Sequence, residues 1–338
     1  MKTELSQTEI HSGLDIYGEC FEIGSHAIPT MDKIYLGIEI GGTKLQLVTG
    51  NDAGQIQTRH RLAVDPAAGA RGIRAQIAAT LKVILARTKV AAIGVGFGGP
   101  VDWKTGRICC SHQIEGWSDF RLGRWLSELS GLPVRVDNDA NVGALGEAMH
   151  GAGAGGNPVF YVTLGSGVGG GLVVDENIFH GAKPGESEIG HLRLDRSGTI
   201  LEDRCSGWAV DKEIRAAIRR NGRSALAGLV GKGRGGEARF LAKALKLRDA
   251  SARRILKETA DDLAFGLSHV IHLAHPEVIV LGGGLSLVGE PLRDAVESAL
   301  RRYLMDAFAP GPRICLAKLA EDAVPIGALL LAAKPSSS

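Results

Sequence analysis

Apolar residues in the first part of the chain fall in short, nearly continuous runs broken by glycine and polar corners. "KIYLGIEI" (33–40) predicts a buried strand, "KLQLVTG" (44–50) its hairpin partner with a turn at "NDAGQ", and "QTRHRLAV" (57–64) a third strand. Helix-spaced apolar positions follow over roughly residues 70–88, then the strand "VAAIGVGF" running into "GGPVD". "RLGRWLSELSG" reads as a helix stopped by glycine, and "PVRVDNDANVGALGEAMHG" passes from strand through a polar corner into a helix. The second half restarts the pattern: "PVFYVTLGSGVGGGLVVDENIFHG" is again strand, glycine turn, strand and turn. Helical segments dominate residues 209–274, interrupted by "GLVGKGRGGEAR", before the strand "EVIVLGGG", the helix "VGEPLRDAVESALRRYL" and a strand near "RICLAKL". Two strand–turn–strand openings imply a duplicated domain, with a cleft between related halves. Strand ends, where this pattern collects its polar residues, are where open sheets bind ligands.

The 338 residues suffice for two substantial cores, and 44% hydrophobic with 22% charged residues is ordinary for a globular protein. A formal net charge of +2 without a basic run gives no electrostatic reason to expect nucleic acid as a partner. Cysteines at 20, 109, 110, 205 and 315 are odd in number and lack paired metal-ligand spacing, which fits a reducing compartment and buried small hydrophobes. No apolar run approaches the ~20 residues of a membrane span. Residues 1–30 lack the basic start and apolar core of a secretory signal. The expectation is a cytoplasmic protein with no membrane partner and a loose extension over residues 1–30, with Met31 as an alternative start.

The turn "IGGTK" after the first strand, and "LGSGVGGG" after its counterpart, share a chemistry. Residues without Cβ let successive backbone N–H groups converge on an anion. Gly41 and Gly42 permit that approach, and Thr43 and Lys44 add a hydroxyl and a positive charge; Gly165, Ser166, Gly167, Gly169, Gly170 and Gly171 offer the same in the second half. Neither matches a P-loop, because the spacing differs and a strand follows the turn. One such hairpin is ordinarily just a tight turn; two, each behind a buried strand, point to nucleotide phosphates held between two halves. Between them, "VDNDAN" (136–141) crowds Asp137, Asn138, Asp139 and Asn141 at one strand end. A helix cap needs only one of these. A carboxylate facing a phosphate cleft can instead take the proton of an attacking hydroxyl.

At these residues the sequence resembles the ROK family (repressor, open reading frame, kinase), and the likeness runs in order from about residue 33 to 334. "IEIGGTK" resembles the family's first phosphate motif, "VDNDANVGALGE" its sugar and catalytic motif, "TLGSGVGGGLV" its second phosphate motif and "PEVIVLGGGLS" its adenosine-side motif. The resemblance implies an α/β protein of the actin-like ATPase (ribonuclease H-like) fold. It has two related domains flanking a cleft, a smaller one over 31–140 and a larger one over 141–338, whose C-terminal helix packs back on the first.

It further implies Asp139 as catalytic base and Asn138, Glu188, His191 and Glu202 as sugar ligands, with Gly99 in a turn beside the sugar. Glu39, Gly41, Gly42, Thr43, Lys44, Gly165, Ser166, Gly167, Gly283 and Gly284 would hold ATP, and Glu39 would reach Mg²⁺ through water. Trp117 reads as core. Two departures stand out. Gln113 in "SHQIEGW" replaces an asparagine common in the family, and "LRLDRSGTILE" after His191 lacks the family's cysteine-rich zinc loop, so no structural zinc is expected. The implied activity is transfer of the ATP γ-phosphoryl to a hexose hydroxyl, O6 of glucose first, by a homodimer. Alternatives are fructose, mannose or an N-acetylated amino sugar as acceptor, polyphosphate as donor, and a non-catalytic sugar-binding or regulatory protein. A repressor would need a helix-turn-helix before the first glycine turn, and residues 1–30 contain no recognisable pair of amphipathic helices.

Overall fold

The computed structural model describes residues 33–42, 44–111, 114–184, 187–231, 233 and 235–335. The expected extension over residues 1–30, the alternative start at Met31, Thr43 and Gln113 lie outside them. The first half forms β1 (Ile34–Ile40), β2 (Lys44–Gly50), β3 (Ile56–Ala63) and β4 (Val90–Phe97), a short hairpin of β5 (Val101–Asp102) and β6 (Arg107–Ile108), and β7 (Val134–Asn138). The second half forms β8 (Val159–Leu164), β9 (Val168–Val174), β10 (Asn177–Ile178), β11 (Val278–Gly282) and β12 (Arg313–Leu316).

The two five-stranded sheets have one topology. The orders are β3-β2-β1-β4-β7 and β10-β9-β8-β11-β12. In each, the first three strands run antiparallel as a meander and the last two add parallel to the first. Antiparallel neighbours need only a turn, which is why glycine corners join them; parallel neighbours need crossovers, and the helices supply these. This doubled arrangement is the actin-like ATPase fold with its two domains. The near-continuous apolar run of β1 is explained by burial on both faces: Leu36, Ile38 and Ile40 sit in one core while Tyr35 faces another.

Two helices stand between the sheets. Asp139–His150 begins directly at the end of β7, capped by Asn138, and is buried along nearly its whole length. Its partner, Ala323–Ala333, follows all the strands yet packs on the first sheet. The position of a Cβ on Gly94 of β4 lies 2.0 Å from the Ala328 carbonyl oxygen, and one on Gly327 lies 1.8 Å from that of Val142, so these contacts are backbone against backbone. The helix is apolar all round because it is enclosed. Trp117, read as core, is 1% exposed and packs its edge on Phe97. Among the described residues no helix is long and apolar enough to cross a membrane.

Candidate active site

The corner between β7 and the helix Asp139–His150 is built from side chain to backbone bonds. Asn138 Oδ1 accepts from the N–H of Ala140 (2.8 Å) and Asn141 (3.3 Å), closing the helix start, while its Nδ2 donates to the Gly99 carbonyl at 3.2 Å. One residue therefore caps the helix and ties it to the turn after β4. Asp137 Oδ1 accepts from the Asn138 N–H (2.8 Å) and Asn141 Nδ2 (3.0 Å), and its other oxygen meets His180 Nε2 at 2.6 Å. The four polar residues of the corner are thus divided: Asn138 and Asp137 hold backbone N–H groups, Asn141 holds Asp137, and the Asp139 carboxyl lies beside the turn after β4.

Asp139 lies where the two halves meet. Its Oδ2 is 3.3 Å from the position a Cβ would take on Gly98, and Gly41 Cα is 3.6 Å from the same point. The Gly98 N–H donates to the Ile40 carbonyl at 2.8 Å, so the first glycine turn, the turn after β4 and Asp139 form one surface. Burial of the carboxyl is the largest influence on it, and the negative charge of Glu39 adds to it. A smaller push comes from Glu188, and the pKa rises to about 7. Glu39, half-buried in β1, is itself raised, chiefly by burial; Gln46 Nε2 donates to it at 2.5 Å and Lys44 opposes the rise.

The first turn closes by a bond from the Gly41 N–H to the Lys44 carbonyl (2.8 Å), with Gly42 between. The Lys44 side chain is exposed and lies 3.4 Å from Glu321. The second turn closes from the Gly165 N–H to the Gly167 carbonyl at 2.9 Å, leaving Ser166 exposed at its tip. Gly283 is brought against it: its φ is +78°, and a Cβ there would lie 2.5 Å from the Leu164 nitrogen, so only glycine lets the end of β11 seat beside this turn. Gly284 follows, exposed.

Gly169, Gly170 and Gly171 do something other than the phosphate role expected of them. They lie within β9, where a Cβ on Gly171 would meet the Ala140 carbonyl at 2.9 Å and one on Gly170 the Ser187 carbonyl at 2.8 Å. Their lack of side chains lets the helix Asp139–His150 and the Ser187 segment press on the strand. Only Gly165, Ser166 and Gly167 remain for an anion.

The remaining expected sugar ligands are spread along the second half. Glu188 and His191 are exposed neighbours, Nδ1 to Oε2 3.5 Å. Glu202 reaches the second glycine turn: its Oε2 accepts the Val168 N–H at 2.8 Å and crowds the space beside Gly167. Sequence reasoning missed His180. It stacks on Trp103 with ring centres 4.1 Å apart, and Lys183 next to it meets Asp102 at 3.2 Å, so the segment after β10 crosses to the first half at two points. Burial works against ionisation of Asp102, but the Lys183 and Thr105 bonds prevail and hold its carboxyl below the usual range. Among the described residues no group of three or more His, Cys, Asp or Glu side chains is placed to hold a metal ion. Cys205 is buried with its thiol on the Thr259 carbonyl, and burial pushes its pKa up.

Comparison with known proteins gives this arrangement a context. The model of the ROK family matches residues 35–335. A glucokinase of Halalkalibacterium halodurans is 33% identical over 310 residues, 88% of this chain and 94% of the relative. A putative xylose repressor of Caldicellulosiruptor is 26% identical, covering 88% of this chain and 77% of the repressor. Among solved structures, a ROK family glucokinase from Streptomyces griseus in complex with glucose and AMPPNP is similar with a TM-score of 0.77 and 30% identity, over 88% of this chain and 99% of that one.

Proposed function

The chain belongs to the ROK family, and on that premise we propose that it is an ATP-dependent hexose kinase acting on O6 of glucose, with Asp139 as general base. The observation that carries the proposal is the state of Asp139: a carboxyl at a helix start, beside the first glycine turn, with a pKa raised to about 7. A base is most useful when its pKa lies near the working pH, since it is then ionised and still takes a proton readily. A second glycine turn with Gly283 against it supports a nucleotide donor, whose phosphates would lie against the two turns at the N–H groups of Gly42 and Gly167, since those of Gly41 and Gly165 close the turns themselves. The glucokinase solved with glucose and AMPPNP supports the same pairing of substrates.

In this mechanism Asp139 accepts the sugar hydroxyl proton as that oxygen attacks the γ-phosphorus, the bond from the γ-phosphorus to the β,γ-bridging oxygen breaks and ADP leaves with the electron pair, and Asn138 and Gly99 fix the corner that aims Asp139. Glu188, His191, Glu202 and Thr43 contribute as expected from their motifs, the first three to the sugar hydroxyls. The carboxylate that would hold Mg²⁺ is Glu39, whose charge presses on Asp139. Mg²⁺ there would neutralise charge on the phosphates. The proposal includes lobes over residues 31–140 and 141–338, a cytoplasmic homodimer and no nucleic-acid partner.

A sugar-responsive regulator is the second reading, supported by the xylose repressor relative. ADP release with MgATP against glucose, mannose, fructose, N-acetylglucosamine and N-acetylmannosamine separates the two. Turnover of glucose that collapses at least about a thousandfold in Asp139→Ala is expected. No turnover of any sugar by folded protein refutes the kinase, and turnover that survives the substitution refutes the base.

A further inference from the structure

Beside β7 lies a cavity of about 870 Å³ whose lining includes none of the glycine-turn residues. Its walls come from both halves: the Trp103–Gly106 turn, the Leu122–Ser130 helix and β7 from one, Asn177 to His180 from the other, and Leu331 to Pro335. That volume is within the usual range of small-molecule sites, roughly 300–1,000 Å³.

The lining is rich in cations. Lys104, Arg124, Arg135 and Lys334 belong to it, with Asp137 the lone carboxylate among the lining residues, and Lys104 Nζ lies 5.2 Å from the centre of the Trp103 ring. Asp137 is already committed to His180, the Asn138 N–H and Asn141. Arg124 has Glu128 at 2.6 Å on its own helix. Lys334 is held by neutral oxygens, the Glu176 carbonyl at 2.7 Å and Asn177 Oδ1 at 2.6 Å. Its pKa is lowered, first by burial; Glu176 opposes this and the like charge of Arg135 adds to it. Arg135 is lowered by burial as well, and donates to the Ala332 carbonyl at 3.2 Å. Lys334 and Arg135 thus line one cavity with their charged forms disfavoured by burial, and an anion entering between them would offset that cost. The remaining wall is flat and aromatic: His180 lies on Trp103 at an interplanar angle of 14°, and the buried Trp103 Nε1 has no hydrogen-bond partner among the described residues.

We propose that this cavity is a second ligand site, for a phosphate monoester of a small sugar. The phosphate oxygens meet Lys334 and Arg135, with Lys104 and Arg124 at the rim, and the sugar ring lies along the Trp103–His180 wall. Asp139 and the glycine-turn residues are not part of its lining, and Asp137 belongs both to that lining and to the corner that precedes Asp139.

The test fills the catalytic cleft with glucose and a non-hydrolysable ATP analogue. Inorganic phosphate or glucose 6-phosphate is then titrated by calorimetry and tryptophan fluorescence. Saturable binding of the ester is expected, equal in the wild type and in Asp139→Ala, weakened about tenfold in Lys334→Gln, and tighter than that of inorganic phosphate. Absence of saturable binding overturns the proposal, as does binding unchanged by Lys334→Gln or an ester that binds no better than phosphate. Should Lys334→Gln fail to fold, the rim double variant Lys104→Gln/Arg124→Gln replaces it, with a loss of at least about threefold expected and an unchanged affinity overturning the site. Failure of the kinase reading is seen separately, in ADP release.

Discussion

Removing the charge of Asp139 should make the protein inactive and more stable at once, and the gain should depend on pH. The carboxyl has an ordinary pKa of 3.8 and is raised to about 7 in the folded protein. Below 3.8 both folded and unfolded chains hold the proton, and Asp139 costs nothing. Between 3.8 and about 7 the unfolded chain has ionised while the folded chain keeps its proton, so stability falls as pH rises; above about 7 the whole cost is present. Roughly three powers of ten in the dissociation constant correspond to about 4 kcal/mol. The residue keeps partial access to the cleft, and water there reduces the figure to about 2–3 kcal/mol. Asp139→Asn keeps the shape and removes the ionisation. Urea unfolding at pH 4.5 and pH 8 should give a small difference from wild type at the lower pH and a gain of about 2–3 kcal/mol at the higher. A variant equal to or weaker than wild type at pH 8 would refute the reasoning, because the carboxyl would then not be destabilised by its surroundings.

Other consequences are as direct. Glu147, fully buried, accepts from the N–H groups of Ala152 (2.8 Å), Lys318 (3.2 Å) and Leu319 (2.8 Å), so Glu147→Ala orphans three donors and should cost about 3–5 kcal/mol in urea unfolding; a loss under about 1 kcal/mol contradicts this. Gly327→Ala drives a methyl to 1.8 Å from the Val142 carbonyl oxygen and should lower stability by about 3 kcal/mol, so an unchanged melting temperature would mean that the helix can move away. With Asp139 as the proposed base, His180→Ala frees Asp137 two residues before it and should lower kcat about tenfold with KM changed less than about twofold. A change confined to KM would assign His180 to substrate binding instead.

Much of the fold was legible because its signals are local. Continuous apolar runs gave the strands, and glycine corners gave the antiparallel joins; "VAAIGVGF" coincides with β4 residue for residue. The doubled topology followed from the repeat. At the site, "VDNDAN" forms one hydrogen-bonded corner, whose division of labour was hidden in the sequence. Asn138 and Asp137 are occupied with backbone and with His180, a partner 43 positions away that depends on the path of the segment after β10. Glu202 on the Val168 N–H is hidden for the same reason, being 34 positions away. The glycines of β9 misled: a triplet of glycine inside a strand is a signal of close backbone approach as much as of an anion site, and here the helix Asp139–His150 is what approaches.

The seat of the helix Ala323–Ala333 on the first sheet bears on how the molecule is made. During synthesis β1, β2, β4 and β7 emerge first, but Gly37 and Gly94 have no helix above them until the entire second sheet has been translated. Until then an apolar sheet face waits uncovered, open to mispairing with another nascent chain. Covering of the first sheet thereby waits for completion of the second, and a chain stopped before residue 323 leaves Gly37 and Gly94 without the helix that packs on them. Quality control is written into the order of the elements: the half that opens the molecule is the last to close.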